Sequence, residues 1–131
     1  MLLNYAVCIM KIVITGASGF VGRYLTQHLI QSGANVVPVS RTKFPGVLHV
    51  NDYNQSPSGD ILIHLAEDPD RARVNMTGER YKSDASRIVE FLTQRSGQRV
   101  IYASSGVVYG NSSELPCKED MPVYVIDTYS E

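Results

Sequence analysis

The chain has 131 residues, which is enough for one domain with a core and too few for two. Its hydrophobic content of 44% is ordinary, and its net charge of -1 leaves no electrostatic footprint for nucleic acid or an anionic membrane. No apolar run approaches the roughly 20 residues that span a bilayer, and residues 1–9 lack the features of a signal peptide. We therefore expect a single cytoplasmic domain.

The first strand is predicted at Lys11–Thr15, a compact run rich in β-branched residues. Met10 directly precedes this strand and resembles a natural start of the chain. Residues 1–9 are therefore either a tail or an extra N-terminal strand, because short apolar runs are ambiguous. We expect a tail, followed by one domain over residues 10–131.

A glycine-rich loop, a helix and a second strand follow. Residues 16–22 contain three glycines, and helical spacing then continues until Gly33, a typical stop signal. The positions that recur at this spacing are Val21, Leu25, His28 and Leu29. Residues 35–39 form the second predicted strand. Together these segments predict a strand–loop–helix–strand unit of a parallel sheet.

The middle of the chain is less regular. Residues 47–50 predict a short strand, although the link from Ser40 to Gly46 is shorter than a helical crossover of about a dozen residues. This strand is therefore either vestigial or part of a reduced sheet edge. A turn at residues 55–59 precedes residues 61–65, an unbroken apolar strand typical of burial on both faces.

The second half predicts one more helix and one more strand. Residues 67–80 are polar without a clear period, so we predict a loop with at most one helical turn. Helical spacing returns over residues 85–92 and stops at Gly97. Residues 99–103 form the last predicted strand, and the sequence after Ser104 is loop-like.

The glycine-rich loop carries the strongest functional signal, because it follows a strand and opens a helix. Gly16 permits a tight turn, Gly19 lets a pyrophosphate approach the backbone, and Gly22 allows close packing of helix on strand. The helix N-terminus then offers unpaired N–H groups to phosphates. This pattern predicts a dinucleotide site, and the alternative is a glycine turn without a ligand. The predicted site also includes Ser18, Phe20 and Val21.

Three segments form an ordered set of motifs: residues 15–22 with the glycines, residues 60–67 (DILIHLAE) and residues 102–110 (YASSGVVYG). Together they resemble the cofactor loop, the fourth-strand motif and the active-site serine strand of the extended short-chain dehydrogenase/reductase family. The resemblance implies an α/β fold with a Rossmann-type doubly wound parallel sheet, truncated before the C-terminal substrate region. It also implies the N-terminal part of an NAD(P)-dependent epimerase, dehydratase or reductase that acts on a nucleotide sugar.

The resemblance also implies catalytic residues. Ser105 matches the family's catalytic serine or threonine, which hydrogen-bonds the reacting hydroxyl or carbonyl group. Tyr129 lies where the family's Tyr-x-x-x-Lys motif begins and would be the general acid/base, the alternative being a solvent-exposed loop tyrosine. The lysine of that motif would fall two positions beyond Glu131. Tyr124 is a weaker candidate, because Thr128 stands four positions after it.

The residues at the end of the second strand bear on cofactor choice. NAD-preferring members of the family usually have an aspartate there, which binds the ribose 2′-hydroxyl. This chain has Ser40 and Arg41 instead. Arg41 could pair with a 2′-phosphate, which favours NADP over NAD, and a solvated arginine is the alternative. The resemblance further implies cofactor contacts by Asp52, on the adenine, and by Leu65, Ala66 and Glu67.

Two functions remain open on these residues. The chain is either the NAD(P)-binding part of an oxidoreductase acting by hydride transfer, or a non-catalytic dinucleotide-binding module. No metal site is expected, because Cys8, Cys117 and the three histidines match no ligand spacing. The expected partners are the dinucleotide and a small substrate, and the sequence leaves open the substrate, the reaction subtype and whether two copies pair as a homodimer.

Overall fold

The computed structural model of the chain describes residues 10–110 and 116–131, so the tail predicted for residues 1–9 lies outside the described residues. Within these described residues, five strands form one parallel sheet. They are β1 (Lys11–Thr15), β2 (Asn35–Ser40), β3 (Leu48–His49), β4 (Gly59–His64) and β5 (Ser96–Tyr102). Their order in the sheet is β3-β2-β1-β4-β5, so the direction of winding reverses between β1 and β4. In sheets of this kind, the reversal creates a crevice at the carboxyl ends of the strands.

Helix α1 spans Phe20–Gln31 and confirms the helix predicted after the glycine-rich loop. At its end, the N–H of Ser32 donates to the carbonyl oxygen of His28 at 3.0 Å. Gly33 follows with a φ of 82°, and its N–H donates to the carbonyl oxygen of Ile30. This left-handed conformation ends the helix, and glycine adopts it without steric cost.

The prediction of a loop over residues 67–80 is wrong. Helix α2 (Arg71–Thr77) occupies its middle, and helix α3 (Glu79–Arg95) begins before its end. Asp70 caps α2, because its side chain accepts a hydrogen bond from the backbone N–H of Arg73 at 3.1 Å. A polar segment therefore forms helices that hydrophobic periodicity did not indicate.

Smaller differences concern the ends of strands. β5 begins at Ser96, so Gly97 lies inside this strand instead of closing the preceding helix. β4 begins at Gly59, within the predicted turn, and a 3₁₀ turn at Tyr53–Gln55 precedes it. β3 has two residues, which fits the reduced sheet edge that the short preceding link predicts.

Apolar side chains of the central strands pack on alternate faces of the sheet. Val13 and Leu62 lie on one face in a cluster with Leu92 of α3. Ile14 and Ile63 lie on the other face, where residues of α1 pack against them. Helices therefore cover both faces, and the predicted doubly wound parallel sheet is confirmed. In the part of the chain that the structure describes, no helix combines the length and the apolar character needed to cross a membrane.

Candidate functional site

A tight glycine turn joins β1 to α1. Gly16 has a φ of 75°, and a Cβ added to it would lie 2.7 Å from the carbonyl oxygen of Leu65. A Cβ added to Gly22 would lie 2.2 Å from the carbonyl oxygen of Gly16. Gly16 is therefore required for the turn and for contact with the end of β4, and Gly22 for close packing of the helix.

The N-terminus of α1, which follows this turn, is exposed. Gly19 precedes the helix, and among the described residues no side chain caps it. Phe20 and Val21 of the first turn are exposed, and the turn contains no acidic residue. The nearest described atom to a Cβ added at Gly19 is the carbonyl oxygen of Gly16, at 3.2 Å. The free N–H groups of such a turn carry partial positive charge, so this surface favours a phosphate.

Two serines connect the glycine turn to the end of β2. The hydroxyl oxygens of Ser18 and Ser40 lie 2.6 Å apart, and that of Ser40 also accepts a hydrogen bond from the backbone N–H of Thr42 at 3.0 Å. Ser40 is buried, so a neutral side chain occupies this strand end. The exposed Arg41 follows, with its guanidinium carbon 5.1 Å from the centre of the Tyr53 ring. A stacked guanidinium can still donate hydrogen bonds from its edge.

A cavity of about 330 Å³ is lined by four of the predicted cofactor residues: Arg41, Asp52, Ala66 and Glu67. One Asp52 oxygen accepts from the N–H of Asn54 at 2.8 Å, and the other accepts from Arg87 of α3 at 3.1 Å. The hydrogen bond from the N–H of Asn54, together with the Arg87 guanidinium, holds the pKa of Asp52 below its usual range, against the opposing effect of desolvation. Asp52 is therefore an ionised, fixed acceptor at this cavity.

A chain of side-chain hydrogen bonds crosses the carboxyl edge of the sheet. The Thr15 hydroxyl lies 2.6 Å from Nδ1 of His64, and Nε2 of His64 lies 3.0 Å from the Glu67 carboxylate. The Tyr81 hydroxyl donates to the other Glu67 oxygen at 2.6 Å and accepts from the backbone N–H of Asp68 at 2.9 Å. His64 is buried, and both of its ring nitrogens have partners. This chain of contacts fixes Glu67 between β4 and α3.

The hydrogen bonds determine which of these groups is ionised. Burial raises the pKa of Glu67, but hydrogen bonds from His64 and Tyr81 lower it by more, so the group is a carboxylate at neutral pH. Burial and the hydrogen bond to Glu67 raise the pKa of Tyr81 to about 12. Burial and the charge of Glu67 also raise the pKa of Tyr102, whose ring stacks on His64. Tyr81 and Tyr102 therefore remain protonated and are unsuited to act as bases.

The structure brings both predicted catalytic residues to one larger cavity of about 850 Å³ at the end of β5. Ser105 precedes a 3₁₀ turn at Gly106–Tyr109, and its hydroxyl oxygen accepts from the N–H of Val107 at 3.3 Å. Tyr129 lines the same cavity from the C-terminal segment. Glu67, Asp68, Tyr81 and Ala85 line both this cavity and the smaller one, so the two cavities are neighbours.

Tyr124 does not share this position. Its side chain is 54% exposed, and among the described residues that line the larger cavity it is absent. The structure therefore favours Tyr129 over Tyr124. Within the described ranges, residues 10–110 and 116–131, no group of three His, Cys, Asp or Glu side chains is arranged to hold a metal ion.

Several residues at these cavities were not predicted from the sequence, notably Tyr53, Tyr81 and Arg87. Tyr53 directly follows Asp52, so its position beside the predicted cofactor site could have been inferred. Tyr81 follows the segment predicted as a loop, and Arg87 carried no motif. Their roles depend on the packing of α3 against the sheet.

The model of the NAD dependent epimerase/dehydratase family matches residues 12–131. The chain belongs to this family. The matched range includes the glycine turn, Ser105 and Tyr129, so every predicted cofactor and catalytic residue lies within it.

Individual members of the family show how much of a relative the chain covers. A UDP-glucose 4-epimerase of Streptomyces lividans is 21% identical over 91% of this chain. A solved UDP-glucose-4-epimerase from Stenotrophomonas maltophila, with bound NAD and formylated UDP-arabinopyranose, matches 92% of this chain with a TM-score of 0.79 and 20% identity. MoeE5, solved in complex with UDP-glucose and NAD, matches 92% with a TM-score of 0.69 and 29% identity. The chain spans 43% of the first protein and 44% of each of the others.

Proposed function

We propose that this chain binds an NAD(P) dinucleotide along the carboxyl edge of its sheet, as the cofactor-binding part of a nucleotide-sugar epimerase or dehydratase. In this proposal the pyrophosphate lies on the N-terminus of α1, the adenosine lies in the smaller cavity and the nicotinamide faces the larger one. Family membership supports the proposal, as do the residues, Glu67 among them, that line both cavities.

The observation that carries the proposal is the N-terminus of α1 at Gly19, which no described side chain caps. Side chains at Gly16 or Gly22 would clash severely with the protein's own backbone. Gly19 has a φ of -73°, which any residue adopts, and a Cβ added there would lie 3.2 Å from the carbonyl oxygen of Gly16, a tight contact but a less severe one. A phosphate resting on the first N–H groups of α1 adds a stronger need for glycine, because a side chain would occupy the phosphate's position.

The smaller cavity has the chemistry to hold an adenosine. The Asp52 carboxylate is a fixed acceptor for the amino group of adenine. Arg41 supplies positive charge beside the neutral Ser40. A carboxylate at that strand end would repel a 2′-phosphate, so the serine found there favours NADP. The two solved structures described above, the Stenotrophomonas epimerase and MoeE5, contain NAD.

The larger cavity has the groups that a sugar hydroxyl requires. When bound, the nicotinamide would accept or donate a hydride at a sugar carbon. Ser105 would hydrogen-bond the hydroxyl on that carbon, and Tyr129 would transfer its proton. Relatives solved with UDP-sugars support a nucleotide sugar as the substrate.

A second candidate function is dinucleotide binding without catalysis. The observation that favours it is that neither Ser105 nor Tyr129 lines the smaller cavity, so the proposed cofactor contacts there do not depend on either residue. Both candidates share the same cofactor site and differ only in turnover.

Substitution of Gly19 tests the shared claim. Gly19→Val should weaken NADH binding at least about tenfold, because the branched side chain separates the phosphate from the charge-assisted N–H donors. Fluorescence titration with NADH measures the change, and circular dichroism verifies that the variant is folded. Gly97→Ala is the matched control, because its added Cβ would come no closer than 3.4 Å to a neighbour, at the start of β5. Equal NADH affinity in the parent and in Gly19→Val would refute the proposed phosphate site.

A further inference from the structure

Helix α2 holds the segment that carries Tyr129. The side-chain amide of Asn75 donates from Nδ2 to the Asp127 carboxylate at 2.9 Å. Its Oδ1 accepts from the backbone N–H of Tyr129, also at 2.9 Å. The opposite orientation of the amide would place a donor against the Tyr129 N–H and an acceptor against a carboxylate. The two partners therefore determine how Asn75 lies.

Asp127 is the centre of this contact. Its Oδ2 also accepts from Nε of Arg71 at 2.7 Å and from Nη2 of the same guanidinium at 2.6 Å. Its Oδ1 accepts from the backbone N–H of Ser130 at 3.0 Å, in the manner of a helix N-cap. Partial desolvation raises the pKa of Asp127, but hydrogen bonds from Asn75, Arg71 and Ser130 lower it well below the usual range. The carboxylate therefore remains an acceptor for all three donors at neutral pH.

These contacts join parts of the chain that are distant in sequence. Asn75 and Tyr129 are 54 residues apart, and Arg71 and Asp127 are 56 apart. Tyr129 and Ser105 both line the larger cavity, and Ser105 caps the 3₁₀ turn that follows β5. The position of Tyr129 relative to Ser105 thus depends on α2 as well as on the loop that connects the two residues.

We infer that Asn75 and Arg71 are positioning residues, which hold the turn of Tyr129 in register with Ser105. This inference rests on the proposed role of Tyr129 in proton transfer. Arg71 and Asn75 are exposed, and exposed polar pairs add little to global stability. Their loss should therefore release one turn while the sheet and the cofactor site remain folded.

The first test is hydrogen exchange of the Tyr129 amide, followed by NMR on the complete chain. Asn75→Ala removes the acceptor of that N–H and should lower its protection factor about tenfold. Met76→Ala is the control, because Met76 lies on the same helix and is 89% exposed. Its Tyr129 protection should equal that of the parent. Unchanged protection in Asn75→Ala would overturn the inference.

The second test separates positioning from cofactor binding, with NADH as the probe. The ring carbon signal of Tyr129, assigned with Tyr129→Phe, should shift at saturating NADH in the parent and lose most of that shift in Asn75→Ala. The amide of Gly19 should respond to NADH equally in both proteins. A Tyr129 shift that survives in Asn75→Ala would overturn the inference and leave the cofactor site standing. Absence of the Gly19 response in the parent would instead refute the proposed function.

Discussion

Single side chains at the end of β2 determine the charge that a bound adenosine would meet. Ser40 is buried against Ser18, so a neutral hydroxyl lies where an aspartate would repel a phosphate. Arg41 stacks on Tyr53, with 5.1 Å between its guanidinium carbon and the centre of the ring. Because this contact already restricts the side chain, a bound phosphate would cost it less conformational entropy. We therefore propose that cofactor choice depends on these two neighbouring residues and on the ring that supports one of them.

Arg41→Ala tests this account of cofactor choice. Loss of a charge-assisted pair with the 2′-phosphate should weaken NADPH binding about ten- to a hundredfold and leave NADH binding nearly unchanged. Parallel fluorescence titrations with both cofactors measure the difference. Lys43→Ala, at an exposed position two residues farther on, removes the same charge and should affect both cofactors little. Equal losses of NADPH and NADH affinity in Arg41→Ala would show that Arg41 is a general surface charge.

For single residues, the sequence predicted the positions where the backbone needs glycine, but not the side-chain contacts that form between elements. The positive φ of Gly16 and the close approach of Gly22 to Gly16 are local features, so spacing alone indicated both glycines. The contact between Arg41 and Tyr53 and that between Glu67 and Tyr81 join residues from different elements. Such contacts exist only after the sheet and α3 have come together, so no local pattern records them.

Among the elements, α2 shows where hydrophobic periodicity fails as a signal. Val74 is its buried apolar residue, whereas Met76 is 89% exposed. Its side-chain contacts are mostly polar, since Asp70 caps the helix and Arg71 contacts Asp127 across the fold. The strands and α1 were predictable because their apolar residues repeat regularly. A short helix held by its cap and by distant partners offers no such repeat.

Removal of the cap measures its share of this stability. Asp70→Ala should lower the free energy of unfolding by about 1 kcal/mol, because the N–H of Arg73 loses its acceptor. Urea denaturation followed by circular dichroism gives the value. Asp84→Ala, an exposed substitution inside α3, is the control and should change stability by less than about 0.5 kcal/mol. Equal stability of Asp70→Ala and the parent would mean that α2 forms without this cap.

For the whole molecule, the parallel sheet aligns the cofactor groups along one edge. The glycine turn, Glu67 and Ser105 follow the carboxyl ends of β1, β4 and β5, respectively, and Ser40 is the last residue of β2. A right-handed crossover between parallel strands returns the chain to the same edge each time, so residues far apart in sequence come together there. The alternation of strand and helix patterns was enough to predict this arrangement.

The same view of the molecule leads to an expectation about turnover. We expect the isolated 131-residue chain to bind NADH without converting UDP-glucose, because it spans 43% of the Streptomyces epimerase. Nicotinamide absorbance and analysis of sugar products measure turnover. Conversion at a rate of about 1 per second or faster, typical of enzymes, would contradict this expectation.

The central claim is that a dinucleotide lies across this edge, from α1 to the end of β5. An NMR titration of the ¹⁵N-labelled chain with NADH tests it most directly. If the dinucleotide lies there, we expect the largest amide shifts at Gly19, Phe20 and Val21, with a second group around Ser105 from the nicotinamide. Shifts confined to the opposite edge of the sheet, or no saturable shifts up to about 1 mM NADH, the upper end of ordinary cofactor and substrate affinities, would contradict it.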